Sequence, residues 1–284
     1  MRLFRSIVGR SPRLLAPALV VLLFMPGEGP RADERWQALT SSYDITLSGL
    51  PIARVQLDGV LNDRGYRLVG TGEMSGLAAL LTSGEGRSQS NGTFSGDATH
   101  PLRFSHRETT GDGALAIDME MRNGRVRDVV VEPPQDREDE RVPITAAHRR
   151  NVLDPMSALL LRVPGEGPVV TEAACDRTVP VFDGRQRFDV LLRPVGTREV
   201  TTDEGYRGEV VVCAARYRPV AGHRASNDTQ QQATRIEVEV WFAPVARTRL
   251  LAPYRISVPT KLGPLVAAAS RFEVRPRQRQ ASAE

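Results

Sequence analysis

Apolar and polar residues alternate with a period of two along most of this chain. Tyr43, Ile45 and Leu47 alternate with Asp44, Thr46 and Ser48; after a Ser48-Gly49-Leu50-Pro51 turn, Val55 and Leu57 alternate with Arg54, Gln56 and Asp58. Successive side chains of a strand point to opposite faces, so this stretch predicts a half-buried hairpin. The Asn62-Asp63-Arg64-Gly65 turn leads into a strand over 66–73, and 75–81 (SGLAALL) predicts one or two helical turns stopped by Gly84 and Gly86. Leu115, Ile117, Met119 and Met121 then face one way and Ala116, Asp118, Glu120 and Arg122 the other. Asn123-Gly124 supplies the positive φ of a two-residue hairpin loop, and 126–131 returns the chain. Residues 132–143 (EPPQDREDERVP) are charged, proline-rich and without period, which predicts a solvated loop.

One stretch has the helical period. Asp154 suits a cap and Pro155 the first helical position, where its missing N–H is no loss. Met156, Leu159, Leu160 and Val163 fall at i, i+3, i+4 and i+7, an apolar stripe that reads either as plain core or as the lid of an apolar cavity. Pro164-Gly165 ends it. Alternation resumes at 179–182, 186–192, 206–217, 236–242, 254–258 and 265–274. About ten to twelve strands and one main helix predict an all-β antiparallel architecture. A strongly curved sheet or open β-barrel with the helix packed in its concavity would hide both the sheet edges and the apolar face; a two-sheet sandwich is the alternative.

The first 32 residues break this pattern. Arg2, Arg5, Arg10 and Arg13 precede an apolar run over 14–24 (LLAPALVVLLF), closed by Pro26, Gly27 and Gly29. A membrane-spanning helix takes about 20 apolar residues, so the layout is that of a cleavable secretory signal peptide ending at Ala32, and it predicts a periplasmic protein. Pro30 departs from the small residue preferred at the third-last position, which leaves an uncleaved tether as the alternative. No cysteine follows the run to accept a lipid, and Arg5 and Arg10 make no twin-arginine pair. The expected organisation is a leader over 1–32, one β-rich domain over 33–274 and a basic frayed tail over 275–284.

Charge changes the picture once the leader is set aside. The chain has 38 Lys and Arg against 34 Asp and Glu; the leader holds five of those cations and one anion, so 33 of each remain. The basic balance therefore belongs to targeting and gives no reason to expect nucleic acid. Lys261 is the one lysine, which reads as coding bias of a GC-rich bacterial genome. Cys175 and Cys213 are the two cysteines. In an oxidising compartment such a pair is expected to bond, the alternative being two buried thiols; neither sits in a C-x-x-C.

Taken in order, several stretches resemble the exported bacterial family catalogued as domain of unknown function 3108. They are YDITLSGLPIARVQL, the DPMSALL start, Cys175 followed by VFDGRQRFDV, Cys213 before RYRPVAG, WFAP, and YRISVPTKLGPLVAAA. The resemblance spans 43–274 and implies an envelope location and a β-rich, open-barrel-like fold. Its outline is similar to that of bacterial lipoprotein carriers, an analogy of fold alone. The family supplies no catalytic residue. Through it the Asp183-Gly184-Arg185 turn stands out, either as a plain hairpin turn or as a site where Arg185 or Arg187 offers a guanidinium to an anionic headgroup.

Motifs for chemistry are missing. No G-x-S-x-G occurs, Lys261 lies four residues after Ser257 instead of three, and His100, His106, His148 and His223 make neither H-x-H nor H-E-x-x-H. Gly70-Thr71-Gly72 lacks the third glycine of a phosphate loop, and the acidic residues of 136–140 lack calcium-loop spacing. Neither a metal nor a cofactor is implied. The expectation is a non-enzymatic protein that binds or carries a lipid or other amphiphile, the alternative an envelope assembly factor that binds another protein.

Overall fold

The computed structural model describes residues 36–76, 79, 83–134, 141–225 and 234–277. The leader, most of 75–81, the acidic centre of the 132–143 loop and residues 278–284 lie outside the described residues. The strands are β1 (Gln37–Leu47), β2 (Leu50–Leu61), β3 (Gly65–Met74), β4 (Gly84–Ser95), β5 (Ala98–Thr110), β6 (Gly113–Arg122), β7 (Arg125–Glu132), β8 (Leu161–Arg162), β9 (Arg177–Phe182), β10 (Arg187–Thr201), β11 (Glu204–Gly205), β12 (Arg207–Ala221), β13 (Glu237–Val245), β14 (Leu250–Thr260) and β15 (Gly263–Pro276). All belong to one sheet in the order β7-β6-β5-β4-β3-β2-β1-β15-β14-β13-β12-β10-β9, with β8 added to β14 and β11 to β15. Two meanders, one from each half of the chain, are thus joined where β1 pairs antiparallel with β15. Among the described residues the parallel contacts are β11 on β15 and the bridge of Leu153 to Val181 of β9.

Register defines the inner face, because residues opposed across a ladder point the same way. One such layer runs Leu39, Gly59, Leu68, Ser90, Phe104, Met119 and Val129; the next runs Ser41, Leu57, Gly70, Ser88, His106, Ile117 and Val131. On the other side of β1, Ile45 opposes Ala267, which opposes Ile256, then Val240, then Cys213. Leu39, Leu61, Leu68 and Met119 are fully buried on this face. Burial of that kind stabilises the fold by roughly 2 kcal/mol per large side chain.

The sheet does not close. Its end strands β7 and β9 share no ladder, and the segment over 141–163 crosses between them. Val142 exchanges backbone hydrogen bonds with Gly222 and His223 beyond β12; the Asn151 amide donates to the Gly124 carbonyl at the β6–β7 turn. Leu153 then donates to Pro180 and accepts from Phe182 on β9. The β9–β10 turn lies against the opposite end of the sheet: a Cβ on Gly184, whose φ is +98°, would stand 2.7 Å from Ile117 Cγ2.

Two expectations are corrected. No main helix follows Asp154: only a 3-10 turn forms, Ser157–Leu159, and Leu160 is already extended. Pairing of Leu161 and Arg162 with Leu251 and Leu250 outcompetes a second helical turn. The stripe is accordingly split. Met156 and Leu160 join one buried cluster, with Leu159 packed against it, whereas Leu161 and Val163 join another. The tail also starts later than Arg275, since β15 continues to Pro276 and the Arg277 amide donates to the Trp36 carbonyl.

Candidate functional site

Asp154 is the anchor of the crossing segment. Its Oδ1 accepts the amides of Met156 and Ser157, both at 3.0 Å, and its Oδ2 accepts Ser90 Oγ–H at 2.9 Å and the Ser157 hydroxyl. Tyr66 Oη lies 2.5 Å from Ser157 Oγ and completes the chain of bonds to β3 and β4. Burial pushes the Asp154 carboxyl above the usual carboxylate range despite four donors, and burial likewise raises the Tyr66 phenol. The network holds the 3-10 turn onto the inner face of β3 and β4. That face is cut back to receive it: a Cβ on Gly70 would lie 3.2 Å from Met156 Cε.

The turn divides the concavity. On one side lies a cavity of about 550 Å³, floored by Phe104, Leu115, Ile117, Met156 and Leu159 and rimmed by Ser88, His106, Arg141, Asp183, Arg185 and Gln186. On the other lies one of about 200 Å³ between Leu161 and the inner residues Val179, Val181, Phe188, Val190, Leu192, Ala215, Val240, Phe242 and Ile256. Pro155 and Leu159 line both. The second chamber has an almost wholly apolar wall, while the first has a charged mouth.

The sequence candidates separate on this geometry. Arg185 lies at the mouth of the larger chamber, on a turn built by Asp183, whose Oδ1 accepts the amides of Arg185 at 2.8 Å and Gln186 at 2.6 Å. Burial lifts the Asp183 carboxyl above its usual range. Arg187 is committed elsewhere, 2.6 Å from Asp189 Oδ1, with Arg218 2.6 Å from Oδ2 of the same buried carboxylate. Burial opposes the Asp189 charge, but the hydrogen bonds from Arg218 and Arg187 outweigh it and hold that carboxyl below its usual range. Met156 and Leu159 line cavities; Leu160 and Val163 are buried core and do not line either chamber. Cys175 and Cys213 form a disulfide, with Cα atoms 5.4 Å apart, that pins the Glu172–Cys175 turn to β12.

Sequence reasoning missed Ser90, Tyr66 and Arg141. The available signal was the alternation Ser88, Ser90, Gly92 in β4, small residues on what proves to be the inner face. Among the described residues, no three His, Cys, Asp or Glu side chains gather as a metal site, and no helix is long and apolar enough to cross a membrane.

No curated protein matches the chain. Among solved structures it is similar to a beta-barrel-like protein of domain of unknown function DUF1849 from Brucella abortus, at 10% identity and a TM-score of 0.46, covering 85% of this chain and 99% of that one. The family described as "Protein of unknown function (DUF3108)" matches residues 42–270. Spanning most of the chain, that match establishes that this protein belongs to the DUF3108 family.

Proposed function

We propose that this protein is an exported, non-enzymatic binder of an amphiphile, working in the periplasm. The observation that carries the reading is the pair of adjoining chambers, one with a charged mouth and one with an apolar wall, sharing Pro155 and Leu159. Pockets for small molecules combine apolar walls with a few placed polar groups, and a volume of about 550 Å³ falls within their usual range. The export part rests on the basic lead and apolar run of the first 32 residues, and the Cys175–Cys213 disulfide suits an oxidising compartment.

A second reading, an assembly factor that binds an envelope protein, draws on a different surface. Leu50 and Leu262 are 61% and 75% exposed on neighbouring turns, where Ser48 Oγ–H donates to the Leu262 carbonyl. Native mass spectrometry of protein secreted to a bacterial periplasm and purified without detergent separates the two. A stoichiometric adduct of lipid mass that extracts into organic solvent is expected. A clean mass, together with no uptake of any added amphiphile, would overturn the first reading in favour of the second.

A further inference from the structure

We infer that the outer face of β3–β7 docks on an anionic lipid bilayer, with Arg67, Arg122 and Arg127 on headgroup phosphates and Leu102 entering between them. This face is not the one that holds the two chambers, and the inference stands apart from the amphiphile reading. A concavity of about 790 Å³ opens there, lined in part by Arg67, Leu102, Arg103, Glu120, Arg122 and Arg127. It faces outward because Arg67, Asn91, Arg103 and Glu120 oppose one another across successive ladders, one residue along from the buried layer of Leu68, Ser90 and Met119. Two β-bulges shape it. Asn91 and Gly92 oppose Arg103 and Pro101, so Leu102 is the extra residue of one; Glu120 and Met121 oppose Asp128 and Val126, so Arg127 is that of the other. A bulge bends its strand and re-aims side chains, and both extra residues stand exposed.

Charge decides the partner. The Arg103 guanidinium is taken by Glu120 at 2.6 Å, the one carboxylate among the described residues that line the concavity. Arg67, Arg122 and Arg127 make no hydrogen bond or ion pair with any described residue. Arg122 directly opposes Arg125, which bridges to Arg150, and like charges so placed cost stability until an anion joins them. The flanking outward carboxylates are Asp128 on β7 and Asp58 on β2, while Asp118 is taken by Arg107 at 2.5 Å. Six arginines thus stand against three carboxylates, in a chain whose residues 33–284 balance 33 to 33. The concavity sits at the Asn123-Gly124 end of β6 and β7, away from the end at which β7 runs on to residue 134. From β3 to β7 is about 19 Å along the sheet, too wide for one phosphate or carboxylate. Anionic headgroups recur side by side on a bilayer, so several can meet the separate guanidiniums at once, and an exposed leucine among arginines suits the boundary between headgroups and acyl chains.

The test is co-sedimentation of the secreted protein with vesicles of phosphatidylcholine alone and of phosphatidylcholine mixed with an equal amount of phosphatidylglycerol. Binding is expected to the anionic vesicles only, and to weaken as salt is added. Arg67→Gln, Arg122→Gln and Arg127→Gln combined should weaken it on the order of a hundredfold, since each basic residue near an anionic surface contributes about fivefold. Arg193→Gln, Arg198→Gln and Arg216→Gln combined remove equal charge from β10 and β12 and should leave binding nearly unchanged. All six side chains are exposed, so both triple variants should keep the wild-type melting temperature. Leu102→Trp should add an emission that shifts to the blue on anionic vesicles; an unshifted emission would overturn the role of Leu102. Equal binding to neutral vesicles, equal loss in the two triple variants, or no binding to either vesicle would overturn the inference. Binding of inositol hexakisphosphate without binding of vesicles would overturn the bilayer in favour of a soluble polyanion. None of these outcomes touches the amphiphile reading, which the mass measurement decides.

Discussion

Strands β3 and β4 meet the crossing segment with Gly70, Ser88 and Ser90, whereas β9, β10, β13 and β14 meet it with Val181, Val190, Val240 and Ile256. The small and polar wall holds the segment by directed bonds through Tyr66, Ser90 and Asp154. Toward the apolar wall the segment is tied by its backbone only at its flanks, Leu153 on β9 and Leu161–Arg162 on β14, and between these the turn at Pro155 and Leu159 meets a cavity. Hydrogen bonds fix a position; packing fixes only a volume, and it tolerates a gap when the backbone is tied elsewhere. The difference teaches which contact is open to exchange: the apolar side of the turn at Pro155 and Leu159, where a ligand chain would fill empty space.

Each wall has a tether whose removal probes that contrast. Replacing Cys175 and Cys213 by Ala releases a link across 38 residues within the buried cluster of the apolar wall, and a loss of about 4 kcal/mol in urea unfolding is expected from chain entropy. On the polar wall, Asp154→Ala strands the amides of Met156 and Ser157 and the Ser90 hydroxyl, for an expected loss of about 3 kcal/mol. Gly70→Val pushes a side chain into Met156 and should cost about 2 kcal/mol, with the melting temperature as the readout.

A smaller effect is a change of slope. Burial raises the folded-state pKa of Asp154 above its unfolded value. Its protonated form therefore contributes stability that is fully present below the unfolded pKa, about 4, and is lost as pH rises through the folded pKa. Asp154→Asn removes this titration. Its unfolding free energy should accordingly improve relative to the wild type as pH rises above about 4. Parallel pH profiles of the two proteins would contradict the raised pKa.

Much of the sheet was legible because its strands alternate: Tyr43, Ile45 and Leu47 in β1, Leu115, Ile117, Met119 and Met121 in β6, and Val238, Val240 and Phe242 in β13 take every second position, and Asn123-Gly124 turns with φ of 53° and 67°. Strand β4 was not. Its inner residues are Gly86, Ser88, Ser90 and Gly92, small and polar because another segment of the chain fills the space beside them. Gly70 likewise gave no local sign that it is a recess for Met156. At Asp154 the cap was readable, since the carboxylate does take the first amides, but the helix was not formed. The i, i+3, i+4 spacing of Met156, Leu159 and Leu160 cannot foretell that β14 captures Leu161, a contact about ninety residues away in sequence. Arg185 and Arg187 were both candidates through the family resemblance, and nothing local in the sequence distinguishes them; only the position of Asp189 does.

Crystallising the protein with 12-bromododecanoate tests the divided concavity most directly, because bromine marks the chain end by anomalous scattering. A bromine peak among Val190, Val240 and Ile256, with Leu159 turned aside, is the expected result. Bromine confined to the outer surface, with both chambers unchanged at saturating ligand, would contradict it.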